Sequence, residues 1–325
     1  IVLGMWLGFV NAFDMPDRQA FVVEMVEKRE DLGNAIALNS SMLNGARLLG
    51  PSIAGVLIGA AGEGVCFLVN AASFLAVILA LLAMRIAPSV RVTQHTHVLR
   101  GLREGFLYTF NSLAIRSIVL YLALVSLVGM PYGVLMPIFA GRILHGGPHT
   151  LGFLMASVGL GALAGALYLA SRRSMLGLGK MIPIAGCIFG FGLVAFSRST
   201  ILWLSLPLML FSGFGMMVQM ASSNTTLQTI VDDDKRGRVM AFYGMAFQGT
   251  SPFGSLLAGS VANAIGAPNT LLIGGATVVL GATLFARQIP RLRAMAQSTE
   301  SSKGLALAQV LGVRAAPEMA DPPRQ

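Results

Sequence analysis

Long apolar segments constrain the fold of this chain more than any other feature of its sequence. A helix needs about 20 mostly apolar residues to cross a membrane, and eight segments approach or exceed that length. They are residues 35–60, 64–84, 117–140, 149–171, 181–197, 201–223, 238–264 and 268–286. A ninth segment, 1–13, is too short to cross alone, and we interpret it as the end of a helix that starts earlier. The pattern predicts an all-α membrane protein.

Charged residues are scarce, and their placement predicts the orientation of the chain. They make up 11% of the sequence, against about 25% in soluble domains. If the spans alternate in direction, 20 of the 23 Lys and Arg residues fall in loops on one side, and only Arg142 and Arg198 fall on the other. Cytoplasmic loops carry such an excess. The distribution of charge therefore indicates a multi-pass membrane protein with a cytoplasmic C-terminus, and the net charge of +9 gives no support to nucleic-acid binding.

The sequence contains an internal repeat with an offset of 204 residues. GNAIA at 33–37 aligns with GRVMA at 237–241, and Gly62 aligns with Gly266. A unit of this length holds six helices, and a six-helix unit repeated in parallel is a known transporter plan. The first copy would begin in its fourth helix. We therefore expect nine of twelve helices here, the first one partial, with three more before Ile1.

The repeat and the polar stretches divide the chain into four parts. A linker follows the first bundle, and its second half has Leu99, Leu102, Phe106 and Phe110 at helical spacing, which predicts an amphipathic helix at the cytoplasmic interface. The expected parts are 1–86 (helices 4–6 of the N-terminal bundle), 87–112 (linker), 113–290 (helices 7–12, the C-terminal bundle) and 291–325 (a disordered cytoplasmic tail).

Arg47 is the most informative single residue because it lies near the middle of an apolar span. An arginine at the centre of a membrane helix costs about 2.5–3.5 kcal/mol on insertion scales, so it must face protein or water. Ser40, Asn44 and Pro51 share its helix face. Arg47 either lines a cavity, where it binds an anionic group or controls proton movement, or forms a structural clamp between packed helices. Both interpretations remain open.

The repeat extends the predicted cavity to the second bundle. An offset of 204 residues takes Asn44 to Gln248 and Arg47 to Ser251, so two related helices are polar at the same depth. Serine and threonine also bond their own backbone in helices, which is the alternative for those residues. The candidates for the substrate and proton pathway are Asn39, Ser40, Asn44, Arg47, Tyr243, Gln248, Thr250 and Ser251.

Other residues suit helix movement and gating. Pro51 removes a helical hydrogen bond, and glycines four residues apart allow close helix contact. Asp14 and Arg18 are spaced to pair on one helix, either as a cytoplasmic gate or as an ordinary salt bridge. The flexing and packing candidates are Gly50, Pro51, Gly55, Gly59, Gly161 and Gly165. We expect neither a metal nor a cofactor, since the sequence has no metal-ligand spacing and no catalytic motif.

Four stretches resemble the major facilitator superfamily: 11–59, 101–110, 125–144 and 236–259. The likeness is greatest to the branch with the enterobactin exporter, transmembrane secretion effectors and macrolide-type efflux pumps. It implies two six-helix bundles that work by alternating access. The family's antiporter motif, Gly-Pro-x-x-Gly-Gly, is matched by Gly50, Pro51 and Gly55, whereas Ala54 replaces the first glycine of its final pair and Ala46 replaces a preceding glycine.

The resemblance and the residues together predict a monomeric secondary transporter of the bacterial inner membrane, in contact with membrane lipid. It would export a small organic molecule, a siderophore or an amphipathic drug, by proton antiport. A non-transporting scaffold or receptor on the same fold, and an inactive fragment, are the alternatives. An enzyme is not expected, because no acid, base or metal groups converge within the visible spans.

Overall fold

The computed structural model describes residues 32–83, 98–172, 177–298 and 310–311, and every regular element among them is helical. Six of these helices are long and apolar enough to cross a membrane: Gly64–Ala83, Leu113–Ile143, Pro148–Ser171, Leu178–Ser197, Leu202–Ile230 and Ala267–Leu292. They coincide with six predicted spans. The predicted spans 35–60 and 238–264 are also helical but are not among the six, and 1–13 lies outside the described residues.

The described residues form α-helices and three short π-helical stretches that lie inside longer spans. The α-helices are α1 (Leu32–Ala83), α2 (Val98–Asn111), α3 (Leu113–Leu124), α4 (Tyr132–Ile138), α5 (Pro148–Ser171), α6 (Leu178–Ser197), α7 (Leu202–Ile230), α8 (Asp233–Gly244), α9 (Ser251–Ile265) and α10 (Ala267–Ser298). The π-helical stretches are π1 (Val125–Gly129), π2 (Phe139–Ile143) and π3 (Met245–Gly249). Thus α3, π1, α4 and π2 form one span, and α8, π3 and α9 form another.

The two glycines paired by the repeat share one rare backbone conformation. Gly62 interrupts α1 with φ 83° and ψ 169°, and Gly266 joins α9 to α10 with φ 85° and ψ 152°. Only glycine adopts this region without strain. In each copy, a helix therefore ends and the next span begins at the same relative position, as the 204-residue offset predicts.

Helix α1 divides at Gly62 into two segments with different surroundings. The helix packs along α5. After Gly64, every side chain is exposed apart from the half-buried Cys66, so the segment before Gly62 makes the contact with α5. Among the described residues, no other helix covers the second segment.

Glycines bring the spans of residues 113–292 into close backbone contact. A Cβ atom at position 161 of α5 would collide with the Leu210 carbonyl oxygen of α7, and one at position 213 of α7 would collide with Val158 of α5. A Cβ at position 190 of α6 would lie 2.8 Å from the Gly275 carbonyl oxygen of α10. Because lipid provides no hydrophobic drive for helices to associate, such packing contacts hold membrane helices together.

The linker helix α2 is anchored to α8. Glu104 and Arg238 form an ion pair at 2.8 Å, and the Tyr108 hydroxyl donates to Asp232 at 3.1 Å. Helix α8 begins at Asp233, and Asp232 and Arg238 hold the linker because α2 passes close enough for pairing.

Part of the C-terminal tail folds back onto the bundle. Val310 and Leu311 are buried, and a Cβ at Gly179, the start of α6, would lie 3.0 Å from Leu311 Cδ2. Residues 291–298, the start of the tail that was predicted to be disordered, are helical and continue α10. The rest of that prediction, apart from Val310 and Leu311, falls on residues outside the described ranges.

Candidate functional site

Two of the π-helical stretches, π1 and π3, lie side by side in different spans of the bundle. Residues of π1 contact residues of π3, and a proline follows each stretch closely, Pro131 after π1 and Pro252 after π3. Proline cannot donate the amide hydrogen of a regular helix, so each helix is irregular at this level. π-helical turns occur often at functional sites of membrane and soluble proteins.

At this level, a serine hydroxyl and a close backbone contact join the two spans. The Ser126 hydroxyl of π1 donates a hydrogen bond to the Phe247 carbonyl oxygen of π3, and Ser126 is fully buried. Nearby, a Cβ at Gly254 would collide with the Leu127 carbonyl oxygen, so only glycine permits this approach. The contact therefore places one serine and two irregular backbones side by side.

A cavity of about 240 Å³ opens beside this contact. Its walls combine an amide and two hydroxyls with an aromatic ring and a thioether, and they consist of Ser126, Met130, Phe247, Gln248, Ser251 and Pro252. Pockets for drug-sized ligands measure roughly 300–1,000 Å³. The cavity is therefore large enough for one part of such a ligand, which it would hold with neutral hydrogen-bonding groups.

Two of the residues predicted from the repeat, Gln248 and Ser251, lie together on the wall of this cavity. Tyr243 is instead buried, and its hydroxyl donates to the Met220 carbonyl oxygen at 3.3 Å. The Thr250 hydroxyl donates to Ala246 of its own helix at 2.7 Å, which is the backbone-bonding alternative for that residue.

The candidates of the first bundle are less fully described. Their backbone lies in helix α1. Their side chains are outside the described part of the structure, so their roles stay predictions. They are Asn39, Ser40, Asn44, Arg47, Gly50, Pro51, Gly55 and Gly59. The predicted gate residues Asp14 and Arg18 lie outside the described ranges. Gly161 and Gly165, by contrast, pack α5 against Leu210 and Phe214 of α7.

Sequence reasoning missed Ser126 and a buried polar face on α7. The Gln219 amide donates to the Ser223 hydroxyl at 3.3 Å, and Ser222 and Thr226 are buried beside them on the same face. The run QMASSNTTLQ (219–228) carried the signal, since it interrupts an apolar helix with polar residues. No comparable signal marked Ser126, because a single serine in an apolar span commonly bonds its own backbone.

Among residues 32–83, 98–172, 177–298 and 310–311, no group of three or more His, Cys, Asp or Glu side chains converges in a way that could hold a metal ion.

Comparison with known proteins places these features in a transporter family. The transmembrane secretion effector family matches residues 1–317. The staphyloferrin A transporter of Staphylococcus aureus is 24% identical over 283 residues, which cover 86% of this chain and 69% of that protein. The multidrug efflux pump Tap of Mycolicibacterium fortuitum is 28% identical over 309 residues, which cover 90% of this chain and 73% of that protein.

A third relative has no assigned substrate in its name. The MFS-type transporter YvqJ of Bacillus subtilis is 25% identical over 196 residues, covering 59% of this chain and 45% of that protein. The family and these relatives are transporters and not enzymes. With its apolar helices and its paired, polar-lined spans, this multi-pass membrane chain belongs to the transmembrane secretion effector family of the major facilitator superfamily.

Proposed function

We propose that this protein is a secondary active transporter that exports a small organic molecule, a siderophore or an amphipathic drug. The observation that carries the proposal is the cavity between π1 and π3, where Gln248 and Ser251 stand at the positions that the repeat relates to Asn44 and Arg47. The names of two relatives, a staphyloferrin A transporter and a multidrug efflux pump, support these substrate classes.

Alternating access is the proposed mechanism. The chain would contribute helices 4–6 (1–86) and helices 7–12 (113–290) of a twelve-helix monomer, joined by the linker 87–112 and followed by the cytoplasmic tail 291–325. Transporters of this plan bind substrate near the bilayer midplane, at the interface of their repeats. Rocking of one bundle against the other would expose the cavity first to the cytoplasm and then to the outside of the inner membrane.

The residues of the cavity would divide the recognition of substrate between them. The Gln248 amide and the Ser251 hydroxyl supply both donors and acceptors, and Met130 and Phe247 supply adaptable apolar contact. Arg47 and Asn44 would approach from the first bundle. There, Arg47 would hold an anionic group or respond to the proton that is exchanged for substrate.

Transport by inside-out membrane vesicles tests this proposal. Vesicles containing the protein would be given an imposed pH gradient, and uptake of an amphipathic dye or an iron-free siderophore would be followed. We expect uptake that disappears when the gradient collapses. In Gln248→Ala, loss of one neutral hydrogen bond, about 1 kcal/mol, would raise the half-saturating substrate concentration about fivefold.

Asn263→Ala is the matched control, since it removes an exposed amide from the same span away from the cavity. Uptake that persists after the gradient collapses would exclude proton antiport. If there is no uptake and substrate fails to protect a cysteine at position 248 from alkylation, the scaffold or receptor alternative would be correct.

A further inference from the structure

A long apolar groove lies on the outside of the bundle between α6, α7 and α10. Its volume is about 620 Å³. Phe191 of α6 and Phe211 of α7 form walls and are 59% and 57% exposed, so the groove opens away from the packed core. Among its lining side chains, only those of Cys187 and Thr283 carry a polar atom. The Thr283 hydroxyl donates to the Leu280 carbonyl oxygen at 2.7 Å, which leaves its methyl group for apolar contact.

The length of the groove matches the depth of one membrane leaflet. On α6 its lining runs from Pro183 to Ala195, and twelve steps of helix rise amount to about 18 Å. One leaflet of the hydrocarbon core is about 15 Å deep, half of the full thickness. A groove of this length on a membrane-spanning bundle accommodates one extended hydrocarbon chain.

Two cations stand at the same end of the groove. Lys180 precedes the lining residue Ile184 by one helical turn, and Arg287 follows Thr283 by one turn, so each lies on the groove side of its helix. The helices run in opposite directions, and Gly190 of α6 meets Gly275 of α10, which brings Lys180 and Arg287 to a similar level. Neither forms an ion pair with a described residue.

We propose that this groove is a binding site for an anionic phospholipid. One acyl chain lies along α6, and the phosphate group sits between Lys180 and Arg287 at the end that the charge distribution predicts to be cytoplasmic. Apolar shape alone would accept any lipid chain. The two cations add selectivity for an anionic headgroup, because basic residues between membrane helices on the cytoplasmic side attract such groups.

The two natural cysteines make the proposal measurable. Cys187 lines the groove, and Cys66 lies away from it on the second segment of α1; both are free thiols. The purified chain in detergent micelles would be titrated with phosphatidylglycerol or phosphatidylcholine, and the alkylation rate of each cysteine by N-ethylmaleimide would be followed by mass spectrometry. Phosphatidylglycerol should protect Cys187 and leave Cys66 unchanged.

Charge variants test the headgroup half of the site. Each cation near an anionic lipid contributes about a fivefold change in affinity, so Lys180→Gln with Arg287→Gln should shift the phosphatidylglycerol midpoint about 30-fold, close to that of phosphatidylcholine. Arg142→Gln, an exposed cation on the predicted opposite side, should leave the midpoint unchanged. Equal protection by both lipids, or no shift in the double variant, would overturn the proposal.

A groove-filling variant tests the acyl-chain half independently. Ala286 is an exposed lining residue, and Ala286→Trp should abolish the phosphatidylglycerol adduct seen by native mass spectrometry. Leu284→Trp, at an exposed position on the side of the same helix opposite Ala286, should retain the adduct. If both tryptophan variants keep it, the lipid binds elsewhere and the assignment fails. Transport plays no part in these measurements, so they stand apart from the proposed function.

Discussion

The close crossing of α5 and α7 predicts that a single methyl group will have opposite effects at different glycines. A Cβ at Gly161 would collide with the Leu210 carbonyl oxygen, and a Cβ at Gly165 would lie 3.0 Å from the Phe214 carbonyl oxygen. At Gly259, in the exposed part of α9, no described atom lies within 4 Å of a Cβ. The substitutions Gly161→Ala, Gly165→Ala and Gly259→Ala therefore form a graded series.

The magnitudes follow from two opposing terms. Replacing a mid-helix glycine by alanine favours the helix by about 1 kcal/mol, whereas overpacking a well-packed site costs about 1–3 kcal/mol. At Gly161 the obstacle is backbone, which cannot rotate away, so the cost is at the upper end and the net loss is about 2 kcal/mol. Gly165→Ala should be close to neutral, and Gly259→Ala should be stabilising by up to about 1 kcal/mol.

The free energy of unfolding would be measured in mixed micelles by titration with sodium dodecyl sulfate and followed by circular dichroism. The order of stability should be Gly259→Ala, then Gly165→Ala, then Gly161→Ala. Should Gly161→Ala prove as stable as the unmodified protein, the close crossing of α5 and α7 would be wrong, since a Cβ could not fit there without separating the helices.

Three further predictions concern other parts of the chain. Arg47→Ala should abolish dye uptake by vesicles while insertion, measured by protease protection of the loops, is unchanged; normal uptake would leave Arg47 only a structural role. Gly266→Ala should destabilise the protein by about 1–3 kcal/mol in the detergent titration, because its backbone lies in a glycine-only region, and an unchanged midpoint would contradict that conformation. Arg238→Glu should cost at most about 1 kcal/mol, because this ion pair is partly exposed; combining it with Glu104→Arg should restore the loss, and failure of the swap would show that the pair adds nothing to stability.

Much of the helical architecture could be predicted from sequence because lipid imposes a strict rule on the backbone. Every amide and carbonyl within the hydrocarbon must be bonded inside the segment, so an apolar run such as 149–171 becomes a helix, α5, regardless of its partners. Gly62 and Gly266 were paired only by the 204-residue offset, and the structure adds that each has a backbone conformation specific to glycine.

The candidate site was only partly predictable. Gln248 and Ser251 were predicted because the repeat relates them to a polar face in the first bundle, and both line the cavity, although their role in transport stays a prediction. Ser126 was missed, because its importance depends on a partner 121 residues away, the Phe247 carbonyl oxygen. The linker contacts of Asp232 and Arg238 were missed for the same reason: a cluster of charges has the same sequence pattern in a solvated loop and in an ion pair.

The sequence by itself determined that this is a helical membrane protein and where most of its spans lie, because those properties depend on local composition and on the demands of the bilayer. Only the tertiary structure decided that π1 meets π3 beside a cavity, that α2 is held by α8, and that α6, α7 and α10 leave a groove between them. Such features depend on how closely separate helices approach, and that distance is set by packing between residues far apart in the chain.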